Sequence, residues 1–186
     1  RGFDSEEGQR LLVVTDGAPA IKKAVHGVWP DSVIQRCLVH KERNIRAKIS
    51  RRHYGEVARL FKQLRLSQNS EDTEKAVKEL KGFLKAKSAQ ALESLEEAGK
   101  ELTSFFDLGV PNTLNVTFLS TNLIENAFRN ARRKTARVNR WRANTNQASR
   151  WIAYALLSAE KGFRKIRGYK EVGKLVESLR KPNANA

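Results

Sequence analysis

Residues 10–40 read "RLLVVTDGAPAIKKAVHGVWPDSVIQRCLVH". The first run, residues 10–15, is apolar and β-branched and stops at Asp16-Gly17, which reads as a buried strand followed by a turn. Beyond Pro19, Ile21, Ala24, Val25 and Val28 recur at helical spacing, and Trp29-Pro30 ends that segment because proline cannot continue a helix. A second apolar run, SVIQRCLVH at 32–40, reads as another buried strand. Strand, helix and strand on short links predict a βαβ unit, whose strands run parallel.

From about residue 41 the period becomes helical. Val57, Leu60, Phe61 and Leu64 form one stripe; Ala76, Val77, Leu80, Phe83 and Leu84 form another, with Ser70 as its expected N-cap. Ser88 is expected to cap a third helix carrying Leu92, Leu95, Leu102 and Phe105. A loop follows near GVPN, residues 109–112. TLNVTFLS, residues 113–120, alternates like a strand but equally suits an extended approach to the next helix. Helices are predicted over 122–140, over the strongly apolar 148–163, and over the short amphipathic 169–179. Two strands are too few for a sheet buried on both faces, so further strands are expected upstream of Arg1 or from another chain. The sequence has no methionine, so a piece of a longer reading frame is expected.

The 186 residues carry a net charge of +16, which draws polyanions and makes nucleic acid the first partner to consider. An anionic membrane surface comes second, because the basic residues do not share a detachable helix with an apolar face. No run of about 18 apolar residues is present, and RGFDSEEGQR lacks the apolar core of a secretion signal. One cysteine rules out an intrachain disulfide and fits a reducing, intracellular setting.

Two acids stand out. Asp16 closes the first strand, where open α/β sheets bind ligands, although an Asp-Gly turn or a helix cap explains it equally well. Glu125 lies in STNLIENAFRNARRKTARVNRWR, Ser120 to Arg142, ahead of seven basic side chains. Asn122 and Glu125 have capping-box spacing, and Glu125 precedes Arg129 by four residues, a favourable ion-pair spacing. On a helical wheel, Leu123, Ile124, Ala127, Phe128 and Ala131 gather on one side, and Glu125, Arg129, Arg132, Arg133 and Arg140 on the other. No acid occurs from Asn126 to Ala159, unlike a merely solubilising surface. Lys134, Arg137, Trp141 and Arg142 extend this DNA-binding candidate, with the indole able to stack on an exposed base. Cys37 and His40 form a CxxH pair that supplies only two of the four ligands of a structural zinc site, so a packed Cys and a hydrogen-bonded His are favoured and no zinc is expected. There is no phosphate-binding GxxxxGK[ST] loop, and Ser-His-Asp chemistry has no motif to start from.

Taken in order, LLVVTDGAPAIKKAV, VIQRCLVHKERNI, a helical stretch, STNLIENAFRNARRKT and VNRW resemble the catalytic region of Mutator-like transposases of bacterial insertion sequences, over about residues 10–160. The resemblance implies an α/β, ribonuclease-H-like core, incomplete at its N-terminus and helix-dominated. Residues 1–50 would form its β-α-β part, 51–114 an all-α insertion, and 115–186 the Glu-bearing and C-terminal helices. It implies an Asp-Asp-Glu metal set, in which Asp16 matches the second aspartate and Glu125 the glutamate. Cys37 and His40 match the supporting CxxH element, with Arg36, Lys41, Arg43 and Asn44 around it. The first aspartate would lie upstream, since Asp4 is a poor substitute, and the piece alone would be inactive. The implied cofactor is a pair of Mg²⁺ ions, with Mn²⁺ as a substitute. The implied partners are transposon ends and target DNA, with homo-oligomers of the full-length protein and no membrane, in the nucleoid-associated bacterial cytoplasm. The alternatives are a non-catalytic basic DNA- or RNA-binding module and an inactive transposase remnant.

Overall fold

The computed structural model describes residues 10–136, 138, 140–142 and 144–180. Strands β1 (Leu12–Thr15) and β2 (Val33–Arg36) are joined by helix α1 (Pro19–Val28) and pair in parallel, Leu12 opposite Val33 and Thr15 opposite Arg36. The predicted βαβ unit is therefore present. Pro19 opens α1 because a first helical position needs no N–H donor and proline presets its φ. The expected burial is only half realised. Leu12, Val13 and Val14 are half-buried, and α1 buries no residue, with Ile21 46% and Val28 60% exposed. Two strands, the whole sheet among the described residues, leave too little protein to cover both faces.

Helices α2 (Leu38–Arg46), α3 (Tyr54–Leu66), α4 (Ser70–Lys87) and α5 (Ala89–Glu96) supply the core. The predicted α3 stripe is fully buried, and Ala76, Leu80 and Leu84 of α4 join it, with Val77 and Phe83 partly covered. Leu38, Leu95, Leu102, Phe105, Leu114 and Leu119 complete it, together with Leu175 and Leu179 of α9 (Val172–Arg180). At roughly 1.5–3 kcal/mol per large apolar side chain buried, this helical layer outweighs the thin sheet as a source of stability.

Several boundaries differ from the sequence reading. Asn69, not Ser70, caps α4, its Oδ1 accepting the Asp72 N–H at 2.8 Å. Ser88 caps α5 as expected, accepting from Ala91 N–H at 3.2 Å. That helix stops at Glu96, and a 3-10 turn at Gly99–Leu102 then carries Leu102 and Phe105 inward. The alternating stretch 113–120 is neither strand nor extended chain. It forms a 3-10 turn, Asn112–Leu114, and the short helix α6 (Asn115–Phe118). Its inward residues include Leu114, Asn115 and Leu119, while Val116 points to solvent, so alternation was not the burial pattern. The Asn115 amide replaces strand pairing by donating to Arg65 O at 3.0 Å and Ser67 O at 3.1 Å.

Sheet and helices are locked together by Gln35, which is fully buried on β2. Its amide donates to Arg36 O at 2.8 Å and Leu102 O at 3.1 Å, and its oxygen accepts Phe105 N–H at 2.8 Å. A buried amide is tolerated because both its ends find partners.

The chain divides into two compact units: the described residues up to Thr121 with those from Arg167 onward, and Asn122–Ile166. In the second, helices α7 (Asn122–Thr135) and α8 (Gln147–Glu160) pack against each other. Helix α7 ends at Thr135, five residues short of the predicted end. The buried residues of this hairpin are the small Ala131, Ala155 and Ala159, whereas Leu123, Ile124, Phe128, Ile152, Leu156 and Leu157 are exposed. Among the described residues no helix is long and apolar enough to cross a membrane.

Candidate active centre and nucleic-acid face

Asp16 sits exposed at the carboxyl end of β1. Its Oδ1 accepts Ala18 N–H at 3.0 Å, and Thr15 Oγ1 accepts Gly17 N–H at 2.8 Å, so two side chains shape the turn. Among the described residues Asp16 Oδ2 makes no hydrogen bond. Gly17 has φ +99°, and a Cβ there would lie 1.6 Å from Arg36 Nη1. Glycine is therefore required twice over, for the left-handed backbone and for the guanidinium lying against it.

Cys37 joins this turn to Thr121. Its N–H donates to Thr15 O at 2.7 Å, one residue before Asp16. Its buried Sγ accepts the N–H and the hydroxyl of Thr121, each at 3.4 Å, and Thr121 directly precedes α7. His40 Nδ1 lies 3.3 Å from both Cys37 Sγ and Thr121 Oγ1. The CxxH spacing makes this possible, because residues three apart on the first turn of α2 share a face. Leu38 N–H adds a bond to Leu119 O at 2.9 Å.

A cluster of charges lies behind the turn. Arg36, 3% exposed, donates from Nη2 to Glu97 Oε1 and Glu101 Oε2, each at 2.8 Å. Lys41, 2% exposed, reaches Glu97 Oε2 at 2.7 Å and Ser94 O at 2.6 Å, and Lys22 reaches Glu101 Oε1 at 2.7 Å. Burial opposes the Arg36 charge, but hydrogen bonds to Glu97 and Glu101 outweigh it and raise the guanidinium pKa. The Lys41 hydrogen bond, with help from Arg36, holds Glu97 down to about 2 against opposing desolvation. A depressed carboxylate pKa contributes stability that is complete above its unfolded value, 4.5, and lost as pH falls through about 2. Stability measured by denaturant melts will therefore decline between those pH values, and Glu97→Gln will flatten that decline.

Glu97 and Glu101 were missed in the sequence, because their partners lie some sixty residues away. The available signal was Arg36 and Lys41 themselves, two cations inside or beside an apolar run, which need buried partners.

Glu125 lies exposed in the first turn of α7. It lines a groove of about 730 Å³ with Asn122, Leu123, Asn126, Phe128, Arg129 and Arg132. Arg129 Nη2 donates to Asn126 Oδ1 at 2.6 Å. Arg129, Arg132, Arg133, Lys134, Arg140, Trp141 and Arg142 are all exposed; Arg137 and Asp4 fall outside the described residues. The structure thus brings Cys37 and His40 together at Thr121, and Glu125 together with Arg129 and Arg132. Asp16 and Glu125 belong to different compact units. Among the described residues no three His, Cys, Asp or Glu side chains gather as a ligand set.

A two-stranded parallel sheet within a helix-dominated chain defines an α/β protein, with an acid at the carboxyl end of β1 and a separate arginine-rich helix. The sequence matches the family described as "Transposase, Mutator family" over residues 7–165, and the chain belongs to that family. It is 33% identical over 130 residues to the transposase for insertion sequence element IS905 of Lactococcus lactis subsp. lactis (strain IL1403), covering 68% of this chain and 32% of that protein. The transposase for IST2 of Acidithiobacillus ferrooxidans is 28% identical over 127 residues, 68% of this chain and 42% of that one. That for IS6120 of Mycolicibacterium smegmatis is 26% identical over 125 residues, 67% and 38% respectively. The chain therefore spans between 32% and 42% of the length of these relatives.

Proposed function

We propose that this chain forms the later part of the catalytic region of a transposase that cuts and joins DNA with an Asp-Asp-Glu set of metal ligands. In this reading β1 and β2 belong to a larger ribonuclease-H-like sheet, residues 51–114 are its helical insertion, and 115–186 carry the Glu helix and complete the core. The observation that carries it is the double engagement of Cys37, whose N–H donates to Thr15 O, one residue before Asp16, and whose sulfur accepts from Thr121, the residue that precedes α7 in the chain.

The residues suit a hard divalent cation. Asp16 keeps one carboxylate oxygen outside its turn, and Glu125 is an exposed carboxylate on a rigid helix. Asp16 and Glu125 would hold Mg²⁺, or Mn²⁺ in its place, with the remaining aspartate supplied by an earlier strand. Held there, the ions would supply activation of water or of a DNA 3′-hydroxyl and stabilisation of the leaving oxygen. Arg129, Arg132, Arg133, Lys134, Arg137, Arg140 and Arg142 hold phosphates, which positions the scissile bond without reading sequence. The piece alone is inactive. In the full-length protein the partners are transposon ends, target DNA and further copies of the chain, in the nucleoid-associated cytoplasm of a bacterium.

The test is DNA affinity against salt. Binding will weaken steeply as salt rises, and each of Arg129→Gln, Arg132→Gln and Arg133→Gln will reduce the log–log slope by about 0.9 for every phosphate left without its cation. Duplexes of unrelated sequence will lose affinity equally. A wild-type chain with no salt-dependent affinity for DNA would overturn the reading. Intact binding without Mg²⁺- or Mn²⁺-dependent cleavage by the full-length protein would leave a non-catalytic binding module or a remnant.

A further inference from the structure

Besides the groove at Glu125, the α7–α8 hairpin holds a second cleft, of about 530 Å³, lined by Lys134, Gln147, Arg150, Trp151 and Tyr154. We propose that this cleft is a subsite for one unpaired nucleotide of DNA, its base stacked on Trp151 or Tyr154 and its phosphates held by Lys134 and Arg150. The inference rests on the DNA-handling function proposed above and adds a site for single-stranded character.

Three observations support it. First, the two rings stand 6.1 Å apart at 88°, so a flat base stacked on the open face of one ring stands roughly perpendicular to the other. They remain 37% and 56% exposed, unlike core aromatics. Second, the polar rim matches a nucleotide. Lys134 and Arg150 are exposed cations, and Gln147 accepts the Arg142 N–H on its oxygen at 2.9 Å, which leaves its amide nitrogen as a donor to a base edge. Third, the surrounding charge selects an anionic partner: residues 122–166 contain eleven Lys and Arg against two acids, Glu125 and Glu160. Nucleic acid is the polyanion that also offers flat aromatic faces, and stacking on such platforms tolerates any base. The cleft volume falls within the roughly 300–1,000 Å³ typical of small-ligand sites.

The experiment compares a fully paired duplex with the same duplex carrying a short single-stranded flank, using the whole chain. Trp151→Ala will weaken binding of the flanked DNA by about five- to 150-fold, the range of one base–aromatic stack, and leave the paired duplex within about twofold. Trp151→Phe will keep most of the preference. Independently of whether the alanine variant folds, Trp151 fluorescence, isolated by Trp29→Phe and Trp141→Phe, will be quenched by flanked DNA and not by paired DNA. Equal weakening on both DNAs, or unchanged fluorescence, overturns the subsite while the DNA reading stands. Unchanged DNA binding with an altered sedimentation coefficient for Trp151→Ala makes the cleft a protein-docking face and overturns it too. Failure of the wild-type chain to bind either DNA removes the functional reading itself.

Discussion

On the function proposed above, Glu125→Gln in the full-length protein will lower Mg²⁺-dependent strand cleavage by at least about a thousandfold, roughly 4 kcal/mol of transition-state stabilisation, while DNA affinity stays within about twofold of wild type. The amide matches the carboxylate in size and still accepts a hydrogen bond, so a capping role largely survives the exchange. What disappears is the negative charge that a divalent cation needs. Asp16→Asn makes the same separation on the other unit, because its amide oxygen can still accept the Ala18 N–H that shapes the turn. Cleavage assays, anisotropy and thermal melts on the same preparations read the three quantities apart. If either variant loses binding and melting temperature together with cleavage, the acids are structural and the metal reading fails. The groove shared by Glu125, Arg129 and Arg132 makes the separation of effects testable, since Arg132→Gln should act on binding first.

Much of this architecture was legible because local chemistry and burial agree. Pro19 and the Asp16-Gly17 turn punctuate β1 and α1, and the 3.6-residue stripes of α3 and α4 are the buried faces observed. The stretch 113–120 misled because Leu114, Val116 and Phe118 alternate in sequence, while tertiary packing selects Leu114 and Leu119 and turns Val116 outward. The α4 cap shifted by one residue because Asn69 and Ser70 are both good capping types and only backbone geometry chooses between them. At the candidate site, spacing singles out Asp16, Glu125 and the CxxH pair, and only the family resemblance gives them roles; the part played by Thr121 has no local signal, because its link to Cys37 spans 84 residues. The helical wheel of α7 puts Leu123, Ile124 and Phe128 on one face, yet all three are exposed. Periodicity reports which side chains share a face and says nothing of whether that face is covered.

The largest purely structural effect is expected from Gly17→Ala. The φ of +99° costs an alanine about 1–3 kcal/mol wherever it occurs. The new methyl group also falls on Arg36 Nη1, Cζ and Nε. Displacing the end of a long side chain is ordinarily cheap, but this one is 3% exposed and fixed by both Glu97 and Glu101. Moving it breaks a buried, paired cation away from its carboxylates, a class of change that is strongly destabilising. Together these terms exceed roughly 3 kcal/mol, or a fall in Tm of about 6–12 °C for a chain of this size. The two contributions separate in a double-mutant cycle. An Arg36→Met background removes the two closest of these atoms, Nη1 and Cζ, and leaves the backbone part, so the cost of Gly17→Ala should shrink by well over the ~0.5 kcal/mol scatter of independent sites. Strict additivity would show that the guanidinium does not lie against Gly17. Coupling would tie Glu97 and Glu101, through Arg36, to the turn that presents Asp16. On the function proposed above, Gly17→Ala would then depress cleavage in the full-length protein even at temperatures where the variant is fully folded.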